Sequence, residues 1–389
     1  MVPRRRGLAS SALVVVAALA LACGAVGAQS PTVTVTLLRV SFSSPSRGVG
    51  LFLRAVGSGS GAGRCTLFTR TTTDAGVNFE PTHAPILAAA CGSEYPADQI
   101  AGDGAGDLFA YGPGLIESHN DGTSWQRVRL GGTIVALSAV GRAVWALRVS
   151  GCQPGSGVCL LTLLVSADAG RSWRAAVHQP PRRRFPWPLT GVQTSDSTWM
   201  LRSSATAATI VLPPAPRSAA AIVEQTRDDG GSWTATTAPC FAGAFAIEYS
   251  VAPSGARWIA CAAEPGAGAQ QKTFARSLGP GLAWQRGLTC AIGTRCEKGM
   301  PIGGYLGGLV AISAETAFYV GGRSSLTTTR NGGRSWAVEP GFSGDASGTA
   351  EVTFVGIDDG WAVDQGFGGH AALWRTDDGG ARWTRLPNP

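Results

Sequence analysis

A short turn motif recurs seven times along the chain at nearly even spacing. Each copy begins with Ser or Thr, has Asp or Asn two residues later, Gly two further on and an aromatic residue three beyond that. The last copy is Thr376-Asp377-Asp378-Gly379-Gly380-Ala381-Arg382-Trp383. The copies begin at residues 72, 118, 166, 226, 277, 329 and 376, which are 46 to 60 residues apart. A period of roughly 40–50 residues is typical of propeller blades, so the sequence predicts seven blades.

Six of the seven copies keep all four positions, and the fifth has lost one. The six are Thr72, Asp74, Gly76 and Phe79; Ser118, Asn120, Gly122 and Trp125; Ser166, Asp168, Gly170 and Trp173; Thr226, Asp228, Gly230 and Trp233; Thr329, Asn331, Gly333 and Trp336; and Thr376, Asp378, Gly380 and Trp383. The fifth copy runs from Ser277 to Trp284 and has Gly279 in place of the Asp or Asn.

The residue types in this motif predict a structural role rather than a ligand site. Asp, Asn, Ser and Thr side chains bond to backbone N–H groups a few residues ahead in tight turns. Glycine adopts backbone angles that a side chain forbids, and an aromatic ring anchors the turn by burying apolar area. We therefore expect each copy to close a hairpin between the third and fourth strands of its blade.

The segments between the turns contain short apolar runs that predict an all-β chain. Blade 2 is predicted from segments 86–90, 108–111, 115–118 and 125–130. Blade 4 is predicted from 189–193, 198–202 and 220–225, with a fourth strand that begins at Trp233. Segment 31–36 alternates and predicts one more strand near the point of ring closure.

The turn motif resembles the Asp-box, or BNR, repeat. This repeat occurs in sialidases, xyloglucan-degrading hydrolases, sortilin-type receptors and propellers like the photosystem II assembly factor. Gly360-Trp361-Ala362-Val363, followed by Leu373-Trp374-Arg375-Thr376, is most similar to the assembly-factor group. The resemblance covers nearly all of residues 31–389 and implies a seven-bladed β-propeller of four-stranded antiparallel blades. It is informative about fold and not about function, because enzymes, receptors and assembly factors share the repeat.

The N-terminus predicts export. Arg4-Arg5-Arg6 precedes an apolar run over 12–28, and Val26-Gly27-Ala28 offers a cleavage site for a signal peptide of residues 1–28. Cleavage there predicts an extracellular or cell-surface protein. In the alternative interpretation, Leu21-Ala22-Cys23-Gly24 resembles a lipoprotein cleavage site, and Cys23 carries a lipid anchor.

The cysteines agree with export. Eight remain after Cys23, an even number that predicts disulfides in an exported chain. Cys152 and Cys159 flank a short loop and are expected to pair, and Cys290 and Cys296 offer a similar loop, whereas the other pairings stay open.

Charge and histidine content argue against several classes of partner. The net charge of +7 falls to +4 without Arg4, Arg5 and Arg6 (7 − 3), and no basic stripe with interleaved aromatics predicts nucleic-acid binding. The four histidines lack metal-ligand spacing. We therefore expect no metal and no cofactor, and we expect a monomer.

Candidate binding residues come from the long connections. Those between second and third strands and between blades emerge on one face of the ring, and function often resides on such loops. Arginines beside aromatic rings can grip carboxylates, phosphates or sugar faces. The candidates are Arg182, Arg183, Arg184, Phe185 and Trp187, with Lys298 and Phe342 on two further long connections.

The sequence favours a binding protein over an enzyme. The Arg-Ile-Pro element of sialidases is missing, and Glu248 and Tyr249 are neighbours on one strand and point to opposite sides of the sheet. A hydrolase needs two carboxylates across a sugar, and the sequence does not bring together Asp196, Glu224, Glu264, Glu297 and Glu315. The expected function is to bind a protein or glycan partner. The alternatives are a glycoside hydrolase of the sialidase or xyloglucanase type and a structural envelope scaffold.

Overall fold

The computed structural model describes most of the chain after residue 31. The described residues are 32–57, 63–82, 84–91, 97–152, 158–186, 198–214, 218–264, 266, 269–287, 289, 299–300, 304–321, 324–342, 349–365 and 371–387. They form seven antiparallel sheets, each built from consecutive strands, and contain no helix. The fold is the predicted seven-bladed β-propeller. The predicted signal peptide, Cys23, Cys290 and Cys296 lie outside the described residues.

Each blade is a meander of four strands, and two blades carry a fifth. Blade 1 contains β1 (Thr32–Phe42), β2 (Gly48–Gly57), β3 (Arg64–Thr72), β4 (Glu80–Pro81) and β5 (Leu87–Ala90). Blade 2 contains β6 (Gln99–Gly102), β7 (Leu108–Tyr111), β8 (Leu115–Ser118) and β9 (Gln126–Val128). Blade 3 contains β10 (Thr133–Val140), β11 (Ala143–Ser150), β12 (Val158–Ser166), β13 (Arg174–Ala175) and β14 (Arg184–Pro186).

The remaining blades have four strands each. Blade 4 contains β15 (Met200–Arg202), β16 (Ala208–Leu212), β17 (Ala220–Thr226) and β18 (Thr234–Pro239). Blade 5 contains β19 (Ala246–Val251), β20 (Arg257–Ala262), β21 (Lys272–Ser277) and β22 (Gln285–Arg286). Blade 6 contains β23 (Leu306–Ala311), β24 (Ala317–Gly321), β25 (Ser324–Thr329) and β26 (Ala337–Val338). Blade 7 contains β27 (Thr349–Val355), β28 (Asp359–Gln365), β29 (Ala371–Thr376) and β30 (Thr384–Arg385).

Three strand predictions were wrong. Segment 86–90 does not open blade 2: β5 pairs with β3 and extends the outer edge of blade 1, while β6 is the first strand of blade 2. In blade 4, β15 is the first strand rather than the second, and β16, which was predicted as part of a long loop, is the second. Segment 31–36 is no separate strand, because its described residues belong to β1. Segment 189–193 lies outside the described residues.

The core consists of seven apolar layers, one between each pair of neighbouring blades. Successive side chains of a strand point to opposite sides of its sheet, so a strand between two neighbours is apolar on both sides. Trp145 packs between blades 3 and 4, and Trp258 packs with Trp336 between blades 5 and 6. The core therefore grows around the ring, which lets a chain of this length form one domain.

The ring closes through side chains, because blades 1 and 7 share no strand in the described residues. Phe42 stacks on Trp361 with ring centroids 3.6 Å apart. The Trp361 indole N–H donates to the Ala75 carbonyl at 2.8 Å, and the Val40 N–H donates to Glu351 Oε2 at 3.0 Å. Closure thus depends on the apolar layer between the first and last blades and on these hydrogen bonds, rather than on a shared strand.

The repeated turns have the predicted position and hydrogen bonds. In blade 1 the Thr72 hydroxyl donates to Asp74 Oδ1 at 2.8 Å and accepts the Gly76 N–H at 2.9 Å. Asp74 Oδ1 also accepts the Asn78 N–H at 2.9 Å. The other five complete copies repeat this arrangement between their third and fourth strands. In the fifth copy the Ser277 hydroxyl bonds to the carbonyls of Gly279 and Leu282 instead, both at 2.9 Å.

Two of the turn aspartates predict a loss of stability in acid. Hydrogen bonds from the hydroxyl of Ser172 or Ser232, and from other groups of the same turns, lower the pKa of Asp168 and Asp228 to about 2. Because the folded-state pKa lies below the unfolded value of about 3.9, this stabilisation is present above about pH 4 and is lost as the pH falls towards 2. We expect Asp168→Asn with Asp228→Asn to flatten the drop of the urea midpoint between these pH values.

Blades 2 and 6 show that asparagine supports the same turn. Asn120 Oδ1 accepts the Ser124 N–H at 2.9 Å, as the aspartates do in their turns. The double variant should therefore fold normally at neutral pH, where its urea midpoint is the control. An acid-induced drop identical to that of the parent protein would show that these two carboxylates do not contribute to it.

Candidate functional site

The two faces of the ring differ in the length of their connections. The face that carries the repeated turns, here called the box face, also carries the turns between first and second strands. Those turns are 43–47, 103–107, 141–142, 203–207, 252–256, 312–316 and 356–358, two to five residues each. The opposite face is here called the loop face. Its shortest connection, 322–323, has 2 residues, and its longest, 287–305, has 19. The long connections therefore lie on the loop face, as predicted. The first turn of blade 2, 103–107, is as short as those of the other blades.

Three disulfides crosslink the loop face. Cys152 pairs with Cys159, as predicted, across the connection from β11 to β12. Cys65 pairs with Cys91, and Cys240 with Cys261, which the sequence left open. All six cysteines lie at or just beyond the loop-face ends of their strands. Covalent links thus restrain the long connections, while hydrogen-bonded turns restrain the box face.

The predicted arginine run lies at the rim of the loop face, between blades 3 and 4. Its backbone is held: Arg182 N–H donates to Glu224 Oε1 at 2.8 Å, and the Arg183 carbonyl accepts the Leu161 N–H at 2.7 Å. Arg184 is the first residue of β14 and pairs with Leu160 of β12. The side chains of all three arginines are exposed. Within the described part of the chain, none of the three forms an ion pair.

A glutamine holds the segment that leads into this run. Gln179 Oε1 accepts the Leu163 N–H at 2.8 Å, and its Nε2 donates to the carbonyls of Leu163 and Ala176, both at 2.9 Å. The amide thereby bonds to the edge of β12 much as a backbone peptide would. The connection from β13 to β14 is consequently fixed at both ends, and the arginines project from a rigid support.

Glu224 contributes to that support from inside the protein. Its side chain is 0% exposed, and burial raises its pKa while the Arg182 N–H and the Arg182 charge oppose the rise. The sequence offered Glu224 as a free carboxylate for hydrolysis. The structure instead shows a buried acceptor that positions the arginine run, and no sequence signal distinguishes these two roles.

Among the other candidate binding residues, Phe342 does not join this surface. Phe342 was predicted to bind a partner, and this is wrong: its ring is 0% exposed and packs against Trp374 and Trp383 between blades 6 and 7. A position on a long connection suggested exposure, but two neighbouring indole rings bury this one. Trp187 and Lys298 lie outside the described residues, as does the side chain of Phe185.

The axial channel holds the second group of polar residues. A cavity of about 500 Å³ is lined by the first strands of blades 1, 2, 3 and 7, with Tyr111, Glu351 and Asp103 at its wall. Burial raises the pKa of Glu351 against the influence of Arg39, and burial with the charges of Asp98 and Glu351 raises the pKa of Tyr111.

The carboxylates of the channel already have structural partners. Glu351 accepts the Val40 N–H at the ring closure. Asp103 Oδ1 accepts the N–H groups of Ala105 at 2.7 Å and Asp107 at 3.1 Å, which fixes a box-face turn. Both carboxylates are thus engaged in holding the fold.

Glu224 and Glu315, two of the carboxylates considered for hydrolysis, lie in different blades and are held by other partners. Glu315 bonds to Arg276 at 2.9 Å on the box face, far along the ring from Glu224, and Asp196 and Glu297 lie outside the described residues. Tyr249 is buried between blades 4 and 5. Among the described residues, no cluster of His, Cys, Asp or Glu could hold a metal ion, and no helix is long and apolar enough to span a membrane.

Comparison with known proteins identifies the fold. No protein-family model matches the chain, and no curated protein is significantly similar to it in sequence. The structure of YCF48 bound to D1 peptide superposes with a TM-score of 0.50 at 15% identity, over 89% of this chain and 96% of that one. YCF48 from Cyanidioschyzon merolae gives 0.51 at 14% identity, over 89% and 94%.

A glycoside hydrolase is also among the similar structures. The GH74 enzyme of Niastella koreensis gives a TM-score of 0.43 at 15% identity, over 90% of this chain and 59% of the enzyme. The seven sheets, the seven inter-blade layers and the repeated turns agree with the YCF48 superpositions. The chain is therefore a seven-bladed β-propeller with the fold of the YCF48 structures.

Proposed function

We propose that the protein binds a partner polypeptide on its loop face, with the arginine run 182–184 as the anchoring surface. The observation that carries this proposal is the combination of three exposed guanidinium groups, which form no ion pair with a described residue, with a backbone held by hydrogen bonds. A held backbone lowers the ordering cost of binding, and guanidinium groups bind carboxylates through paired hydrogen bonds. The partner segment is accordingly acidic. That YCF48 has been solved with a bound peptide supports a protein partner on this fold.

Neutralising the arginine run should weaken this binding. The probes are arrays of short acidic peptides and of glycans. We expect acidic peptides to bind, and Arg182→Ser, Arg183→Ser and Arg184→Ser together to weaken the binding at least about tenfold, because charge-assisted contacts are lost. The matched control changes Arg174, Arg286 and Arg385 to serine. These arginines are exposed on the outer strands next to the box face. Both triple variants replace three arginines by serine, so they change the net charge equally.

Several outcomes contradict this proposal. Equal weakening by both triple variants would show a general charge effect rather than a site. Binding to glycans alone would reassign the partner, and turnover of a fluorogenic sialoside or of xyloglucan would favour the glycoside hydrolase alternative. Failure of every probe would favour an envelope scaffold.

A protein that acts on the cell surface also requires export. N-terminal sequencing of the mature protein would test this, because it separates cleavage after Ala28 from lipidation at Cys23.

A further inference from the structure

The box face contains a groove between blades 4 and 5 that differs from every other inter-blade contact on that face. A cavity of about 550 Å³ opens there, and its lining includes Arg202, Arg227, Arg257, Val251, Pro253 and Pro280. Cavities of about 300–1,000 Å³ are typical of small-molecule sites. Two departures from the repeat coincide at this groove.

The first departure is a charge at a position that is otherwise apolar. In each blade, one residue of the second strand pairs with the hydroxyl residue that begins the repeated turn. These residues are Gly48, Leu108, Val144, Ala208, Arg257, Ala317 and Gly360 in blades 1 to 7. Six are small or apolar because the position faces the neighbouring blade. Blade 5 alone places a guanidinium there.

The second departure is the turn that Arg257 faces. Arg257 pairs with Ser277, the first residue of the copy that has lost its Asp or Asn. This copy has Gly279 where four of the other copies have an aspartate. The turn carries Pro280, which lines the cavity, and two exposed leucines, Leu278 and Leu282. The groove thus combines an added cation with a turn that lacks the acidic or amide side chain of the repeat.

Arg257 is buried, and no described residue compensates its charge. The residue is 7% exposed, and among the described residues its side chain makes one hydrogen bond, from Nη2 to Gln225 Oε1 at 3.1 Å. Gln225 Nε2 donates to Thr209 Oγ1 at 3.1 Å, which orients the amide oxygen towards Arg257. No described carboxylate lies within ion-pair distance of this guanidinium. A buried cation is costly unless an anion pairs with it, so the remaining donors favour an incoming oxyanion.

The neighbouring arginines strengthen the positive potential of the groove. Arg202 donates to the carbonyls of Ala143 and Ala205 and lies over the Trp145 ring, so it is fixed in place. Arg227 is exposed at the mouth and makes no ion pair with another described residue. Asp229 attracts the Arg202 guanidinium and so offsets one of the three arginines that line the cavity. The charge around the cavity therefore stays positive.

We infer that this groove binds a ligand that carries a carboxylate on an apolar group. The carboxylate pairs with Arg257 in the fork geometry that guanidinium groups favour, and Arg227 adds attraction at the mouth. The apolar group lies against Val251, Pro253 and Pro280. A small organic acid and the free C-terminus of a peptide share this chemistry. The site lies on the opposite face from the arginine run 182–184 and does not depend on it.

Calorimetric titration and thermal unfolding of the whole chain test this inference. The probes are sodium benzoate, an N-acetylated dipeptide ending in a free leucine carboxylate, and inorganic phosphate. Benzamide and the amidated form of the acetylated dipeptide are the uncharged controls. We expect at least one carboxylate probe to bind and to raise the Tm, and the matching amide to bind at least about tenfold more weakly. Tighter binding of benzoate would identify the ligand as a small organic acid, and tighter binding of the dipeptide would identify it as the free C-terminus of a peptide.

The variant is Arg257→Leu, because leucine occupies the equivalent position of blade 2 at Leu108. We expect it to fold, to show an equal or higher Tm without ligand, and to lose the carboxylate response. The triple serine variant of the arginine run should keep that response, which separates this site from the loop-face proposal. A lower Tm for Arg257→Leu together with an unchanged carboxylate response would assign Arg257 to a structural role. Equal binding of amides, binding of phosphate alone, or binding of no probe would each overturn the inference.

Discussion

Changing Trp361 to alanine is expected to lower the free energy of unfolding by about 3–5 kcal/mol, the range for deleting a fully buried aromatic side chain. Trp361 is 0% exposed and stacks on Phe42 across the closure between blades 7 and 1. Its indole N–H also satisfies the Ala75 carbonyl, which the variant would leave without this donor. Because no strand is shared between these two blades in the described residues, the closure rests on side-chain packing, and Trp361 is one of its largest buried side chains.

Urea unfolding monitored by circular dichroism measures this effect, and Trp284→Ala is the control. Trp284 is only half-buried and lies in the incomplete turn of blade 5, so its loss should cost less than about 2 kcal/mol. A double-mutant cycle with Phe42→Ala should show a coupling of about 0.5–1.5 kcal/mol for the stacked pair. Equal costs for Trp361 and Trp284 would mean that the closure is no more sensitive than the rest of the ring.

Changing Gly380 to alanine is expected to destabilise the protein more than the same change at Gly230. Both glycines occupy the same position of the repeated turn, with φ values of 78° and 79°. A side chain in this left-handed region costs roughly 1–2 kcal/mol at either position. At Gly380 an added Cβ would also overlap the Phe318 ring of blade 6, whereas at Gly230 the nearest atom is His178 O at 3.6 Å. Overpacking therefore adds about 1–3 kcal/mol to the destabilisation at Gly380 but not at Gly230.

The difference between the two variants isolates the contact between blades from the strain of the turn. We expect a difference of at least about 1 kcal/mol in the free energy of unfolding, measured in parallel urea titrations. Phe318 is 0% exposed and is packed by Phe354 and Trp383, so its ring has little room to move aside. Equal destabilisation would show that the turn conformation alone requires glycine and that blade packing tolerates the added methyl group.

The repeat was visible in the sequence because the contacts that make it are local. The Thr376 hydroxyl bonds to Asp378 and Gly380, two and four residues ahead, so the residue types and their spacing encode the turn directly. Seven such turns at blade spacing predicted the ring, the number of sheets and the face on which the long connections lie. The short loop between Cys152 and Cys159 made that disulfide predictable for the same reason.

The parts that sequence reasoning missed depend on pairing between distant strands. Leu87–Ala90 and Gln99–Gly102 are both short, and only the pairing of the former with β3 decides which blade each belongs to. Cys240 and Cys261 meet because β18 and β20 belong to adjacent blades, a proximity that their separation of 21 residues does not reveal.

The candidate sites show the same contrast between features encoded by neighbouring residues and features that depend on distant ones. The sequence by itself determined that the chain repeats a self-contained turn, and with it the propeller and the exposed arginine run on a proline-rich connection. Only the tertiary structure decided that Phe342 packs against two indole rings, that Glu224 is a buried acceptor, and that Arg257 lines a cavity with no described carboxylate in ion-pair distance. Burial and charge compensation are properties of neighbours brought together by folding, and residues far apart along the chain supply them.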